Sequence, residues 1–247
     1  MMFRPNPASP TIAVSAVQER ASYDLAWLDH DGLPQWQSRL LPVSPITESA
    51  CAAIAHGGLI ETDHGQKSIE DLNPGDNIRC ADGTVLPLRW IGSRTYSAHL
   101  EPAARPRLLR VTGGTFGRDA PNRDTVLARS ATVLLENPAC EQVIGQRAAF
   151  APLAAFEDGL TISRLTPPGD LTLYNLAFDR QQAILVNGLA VETYHPGRNT
   201  MQFVNNGAQT TLSRLFPHIC TATGFGPASI PGLSITEARM LDFAQAS

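Results

Sequence analysis

The sequence predicts a mostly β fold, and three observations carry that expectation. Charged residues are sparse, at 17% of the chain. Gly and Pro are frequent, at 19 each. Turn signals such as Asp63-His64-Gly65, Asn73-Pro74-Gly75-Asp76 and Ala81-Asp82-Gly83 punctuate short apolar runs. Low charge and regular turn formers suit an all-β fold of short strands. A hydrophobic content of 43% over 247 residues supports a sizeable core, as one large β domain or two small ones.

Along the chain, Thr11–Val17 reads as an edge strand. Tyr23–Leu28 and Gln35–Leu40 read as short strands around the turn His30-Asp31-Gly32. The Ala-rich segment Glu48–Ala55 is a helical turn leading into the strand Gly58–Thr62. Gly65 supplies the positive φ of the next turn. Asn73-Pro74-Gly75-Asp76 has Pro at the second and Gly at the third turn position, the type II pattern. Asn77–Cys80 and Val85–Ile91 form a hairpin across Ala81-Asp82-Gly83. Leu108–Thr112, Thr125–Ala128 and Thr132–Leu135 are later strands. Leu171–Ala177 and Ala183–Val186 read as a further pair joined by Phe178–Gln182. Gln209–Leu215 has helical spacing that stops at Pro217, and Thr236–Ala246 reads as an amphipathic helix with Thr236 near its N-terminus and Leu241 and Phe243 among its apolar residues.

Composition removes several function classes. The net charge is −4 with Lys and Arg scattered, so no nucleic-acid partner is expected. No apolar run approaches the roughly 18 residues of a membrane span, so no membrane association is expected. Thr11–Val17 is too short and polar for a secretory core. The expected location is cytoplasmic, or exported without a classical signal peptide. The four cysteines, Cys51, Cys80, Cys140 and Cys220, form no C-x-x-C pair and read as reduced, buried residues. Gly113-Gly114-Thr115-Phe116-Gly117 lacks the Gly-Lys-Ser/Thr ending of a phosphate loop and reads as a glycine-rich turn. In Glu70-Asp71, one carboxylate faces solvent and the other caps the Pro-Gly corner. His30, His64, His99, His195 and His218 show no metal-ligand spacing, and no G-x-S-x-G elbow marks a hydrolase. No cofactor and no metal are expected.

Three segments carry a family resemblance. The first is Gly57–Ser93, GGLIETDHGQKSIEDLNPGDNIRCADGTVLPLRWIGS; the second Asp124–Asn137, DTVLARSATVLLEN; the third Tyr174–Tyr194, YNLAFDRQQAILVNGLAVETY. In order and spacing they resemble the Hint domain, the self-processing module of Hedgehog proteins and inteins, in its bacterial forms. The resemblance spans about Ala53 to Gly197. It implies a Hint-like β horseshoe over residues 48–198, with an N-terminal extension over 1–47 packed on the core and a mixed helical tail over 199–247.

It also implies which residues to inspect. Hint chemistry uses a thiol or hydroxyl nucleophile on the first core strand and a central histidine that protonates the departing amide nitrogen. The nucleophile position falls on Ala53 and the central histidine on Ala131. The Ser/Thr position falls on Ala128, and the two late histidine positions on Asn175 and Gln181. None of these titrates near neutrality. Losing one general acid or base costs about 10²–10⁴ in rate. The expectation is a degenerate, bacterial Hint-type domain without catalytic residues, a pseudoenzyme acting as a structural or protein-binding module. The alternative is an active autoprocessing domain with Cys51 as nucleophile and His56 as its base. A third class is an unrelated small-molecule enzyme in the same cleft.

Overall fold

The computed structural model describes residues 19–101, 104–196, 206–219 and 222–241. The strand expected at Thr11–Val17, Cys220, and the end of the last helix beyond Leu241 lie outside the described residues.

The chain opens with a long hairpin, β1 (Arg20–Leu28) and β2 (Pro34–Pro42), paired over their full length. Helix α1 (Pro45–Cys51) follows. It begins earlier than the Ala-rich run suggested, because Ser44 and Thr47 form a reciprocal cap. The Thr47 N–H donates to Ser44 Oγ at 3.3 Å, and the Ser44 N–H donates to Thr47 Oγ1 at 3.0 Å. A two-residue strand, β3 (Ile54–Ala55), leads to β4 (Leu59–Thr62) and β5 (Gly65–Ser68). β6 (Asn77–Arg79) and β7 (Val85–Pro87) form the next hairpin, and β8 (Trp90–Tyr96) follows. Next come β9 (Leu108–Val111), β10 (Thr125–Ala128), β11 (Thr132–Glu136), α2 (Pro138–Ile144), β12 (Ala148–Pro152) and β13 (Ile162–Leu165). The series closes with β14 (Leu171–Ala177), β15 (Ala183–Val186), β16 (Leu189–Glu192), α3 (Asn206–Leu215) and α4 (Ile235–Met240).

These strands make two antiparallel sheets. The first has the order β13-β9-β10-β3-β14-β8-β1-β2. The second has the order β12-β11-β16-β15-β4-β6-β7, with β5 on β4. Neither closes into a barrel. A shared apolar core of Ile54, Ile60, Leu127, Val133, Leu176, Ile184 and Val191 links residues of both sheets.

Two expected pairings are corrected. The run Val85–Ile91 is not one strand: only Val85–Pro87 pairs with β6. At Leu88 the alternation breaks, with Leu88, Trp90 and Ile91 all buried, and the chain crosses to the other sheet as β8. Likewise Leu171–Ala177 and Ala183–Val186 are not partners. β14 pairs with β3 and β8, whereas β15 pairs with β16 and β4, so Phe178–Gln182 is a crossover between sheets. Sequence reasoning also passed over α2, which Asn137 caps by accepting from the Ala139 N–H at 2.8 Å and which ends at Gly145 with φ 70°.

The Pro-Gly corner has the expected geometry. Gly75 has φ 96°, and the Asp76 N–H donates to the Asn73 carbonyl at 3.0 Å. Its carboxylate cap is Asp76, which accepts from the Asn73 N–H at 2.8 Å, and not Glu70 or Asp71. Glu70 instead accepts from the Gly57 N–H at 2.9 Å, while Asp71 faces solvent.

The first hairpin and helix α3 are both built into the body. Trp90 Nε1 donates to the Leu215 carbonyl at 2.7 Å, and the Trp90 ring lies 4.4 Å from that of Phe216. Phe216 stacks on Tyr194 at 4.8 Å. This aromatic group seats α3 on β8 and the chain after β16. β1 in turn pairs with β8 from Asp24↔Ser93 to Trp27↔Trp90.

Candidate functional site

The largest departure from sequence expectation lies where α1 meets β1 and β8. Glu48, on α1, accepts from the Tyr23 and Tyr96 hydroxyls at 2.6 Å each and from the Arg94 guanidinium. Arg94 is 4% exposed and stacks over the Tyr96 ring at 4.3 Å. Tyr96 sits on β8 and Tyr23 on β1, so one carboxylate joins three elements. No local sequence signal points to this network, because its members are far apart in the chain and its register depends on the β1–β8 pairing.

A cavity of about 370 Å³ lies where the two sheets meet. Three of the five positions that the sequence resemblance implies line it: Ala53, Ala131 and Asn175. Each is placed by backbone. The Ala53 N–H donates to the Tyr174 carbonyl at 3.0 Å, and the Ala53 carbonyl accepts from the Ala128 N–H at 2.8 Å. The Ala131 N–H closes a turn onto the Ala128 carbonyl at 2.9 Å. Ala128 backs this wall without lining it, and instead lines a neighbouring cavity with Ala52 and Ser130. Asn175 is committed to structure. Its Nδ2 donates at 3.0 Å to the Ser49 carbonyl, one of the last carbonyls of α1 that have no helical partner.

Gln181 sits behind the cavity, bridging two segments. Its Nε2 donates to Glu192 Oε1 at 2.8 Å, and its Oε1 accepts from the Ile230 N–H at 2.9 Å. Glu192 itself lines the cavity and also accepts from the Thr132 hydroxyl. Burial raises the Glu192 carboxyl above its ordinary value, and the bonds from Thr132 and Gln181 partly offset that. His195 lines the cavity as well, with Nε2 3.2 Å from the Gly226 carbonyl; burial lowers its value. Ser49, Ser130 and Thr132 add hydroxyls. Sequence reasoning passed over Glu192 as a site residue because a carboxylate on a β-strand end carries no spacing signature.

Cys51 is elsewhere. Its side chain is fully buried in the cluster of Tyr23, Leu25, Trp27, Trp90 and Phe216, not on the cavity wall. Burial raises its thiol well above the ordinary range, and the Glu48 charge pushes the same way. His56 is surface-exposed and lies 3.5 Å from Glu70 Oε1, directed at that carboxylate.

Among the described residues, one group could bring three metal-type donors together: Asp29, His30 and Asp31, with ligand atoms within 4.8 Å of one another. It lies in the β1–β2 turn. Asp29 there already accepts from the Asp31 N–H at 3.0 Å, the Leu33 N–H at 2.9 Å and Gln35 at 2.9 Å. No described helix is long and apolar enough to cross a membrane.

The two antiparallel sheets meet at a cleft whose wall combines the chain entering β3, the turn before β11, the middle of β14 and the end of β16, the arrangement of a Hint-type module. The chain belongs to the Hint domain family, whose model matches residues 52–198. Among solved structures, it is similar to the solution structure of a bacterial intein-like domain from Clostridium thermocellum. That similarity has 12% identity and a TM-score of 0.41, covering 58% of this chain and 99% of that one. No curated protein matches the sequence.

Proposed function

We propose that this chain is a degenerate Hint domain that keeps the two-sheet scaffold, does not cleave itself, and serves as a structural or protein-binding module. The observation that carries this reading is a pair of methyl groups. Ala53 and Ala131 face the cleft at the positions where the family resemblance puts a nucleophile and a general acid. Alanine at the first position offers no atom for a covalent route, and alanine at the second leaves the departing nitrogen without a proton donor.

Two structural features support the same reading. Cys51, the nearest thiol, is enclosed in an apolar cluster and held protonated by burial. The segment before Ala53 is also no passenger: β1 is a sheet partner of β8, and Glu48 on α1 anchors Arg94 and Tyr96. Cleavage at this point would cut within the packed body of the protein.

The test is the intact mass of the full chain, held for hours with dithiothreitol or hydroxylamine. One species near 26.6 kDa is expected. A time-dependent fragment ending at Ala50 would transfer the chemistry to Cys51, and one ending at Ala52 would show that the cleft still cleaves.

A further inference from the structure

We propose that the cleft is a binding site for a primary ammonium group, held by the Glu192 carboxylate. The starting point is an imbalance of charge. Glu192 lines the cavity, and its two hydrogen-bond donors, Thr132 and Gln181, are both neutral. Among the described residues no Lys, Arg or His forms an ion pair with it. The other titratable groups on the wall are Tyr194 and His195, and burial lowers the His195 value from its ordinary range. Glu192 is half-buried, and a carboxylate partly withdrawn from water and without a cation is a ready acceptor for a positive ligand.

The shape and chemistry of the wall favour an ammonium over a metal ion. No group of three His, Cys, Asp or Glu donors forms at the cavity among the described residues, so a divalent ion lacks its donor set. An ammonium needs fewer charged partners. It has three N–H donors, for which Glu192 and the hydroxyl oxygens of Ser130 and Thr132 are acceptors on one wall. The methyl groups of Ala53 and Ala131 leave the cavity roomy, and they supply the apolar surface that an alkyl stem would cover. The family resemblance puts larger side chains at these two positions, which alanine replaces here with open space. Two sources present this chemistry: a free alkylamine, or a lysine side chain of another protein. This inference deepens the binding-module reading. It fails separately from it, because cleavage is read by mass and ammonium binding by titration.

The experiment is an NMR titration of the full ¹⁵N-labelled chain at pH 7. The probes are n-butylamine, the uncharged isostere n-butanol, and Nα-acetyl-lysine methylamide. Saturable shifts confined to the cleft with butylamine and absent with butanol are expected. Shifts with the lysine probe as well identify a cleft open to a protein side chain; shifts with butylamine alone identify a small free amine. Glu192→Gln should weaken binding about tenfold or more, since it removes a charged hydrogen-bond partner. Ala131→Leu, which keeps the carboxylate and fills the cavity, should abolish the shifts with the far-UV circular dichroism unchanged. Equal response to butylamine and butanol, no saturable response to any amine, or full binding by both variants would overturn the proposal.

Discussion

The Glu48 network gives the sharpest stability prediction. Replacing Glu48 by Gln keeps the shape and removes the charge. Arg94, 4% exposed, would then keep a neutral amide oxygen in place of the carboxylate, the Tyr23 hydroxyl at 3.3 Å and the faces of two tyrosine rings, but no counter-charge. The Tyr23 and Tyr96 hydroxyls would lose their anionic acceptor. Breaking a buried pair from one side costs about 3–5 kcal/mol, because the remaining charge is uncompensated. Glu48 retains 30% of its side-chain surface, so water screens part of the loss and the lower end, about 3 kcal/mol, is expected. For a chain of this size that lowers the melting temperature by about 6–12 °C. The assay is thermal and urea unfolding of wild type, Glu48→Gln and the double variant Glu48→Gln/Arg94→Met. The double variant should recover about half of the loss, because it removes the stranded guanidinium. All three should melt in one transition, since the network ties β1 and α1 to β8. A Glu48→Gln variant within about 1 kcal/mol of wild type would refute the argument from buried charge. An early separate transition would refute the integration of the N-terminal hairpin.

Three further outcomes follow from particular residues. Gly75→Val should cost about 1–3 kcal/mol, because φ 96° is strained for a β-branched residue; an unchanged urea midpoint would show the corner misassigned. Glu192→Gln should change the pH dependence of stability. The folded state holds this carboxyl's proton more tightly than the unfolded chain, so wild-type stability falls as pH rises from the unfolded value of 4.5 through the raised folded one. The variant lacks that decline, so its advantage should grow from acidic to neutral pH in parallel melts; an advantage constant with pH would mean Glu192 is not perturbed. Finally, Cys51, Cys80 and Cys140 are all buried and should resist an aromatic disulfide reagent until the chain unfolds, and rapid native-state modification of Cys51 by peptide mapping would contradict its enclosure.

The sequence by itself determined the class of fold and the local punctuation. Pro74-Gly75 forces its turn because ring closure sets one φ and the missing Cβ permits the next, whatever surrounds them. Three positions that the family resemblance implies, Ala53, Ala131 and Asn175, lie 44 to 122 residues apart in sequence and line one cavity. What the sequence left undetermined was every property that depends on which strand lies beside which. The run from Val85 to Ile91 reads as one strand because local propensity is blind to a change of sheet, which the structure reveals by placing Leu88 and Trp90 in different apolar clusters. The charge state of Glu192 and the role of Glu48 were equally hidden. A carboxylate's environment is set by neighbours such as Gln181, Thr132, Arg94 and Tyr96, which only the assembled sheets bring within hydrogen-bond reach.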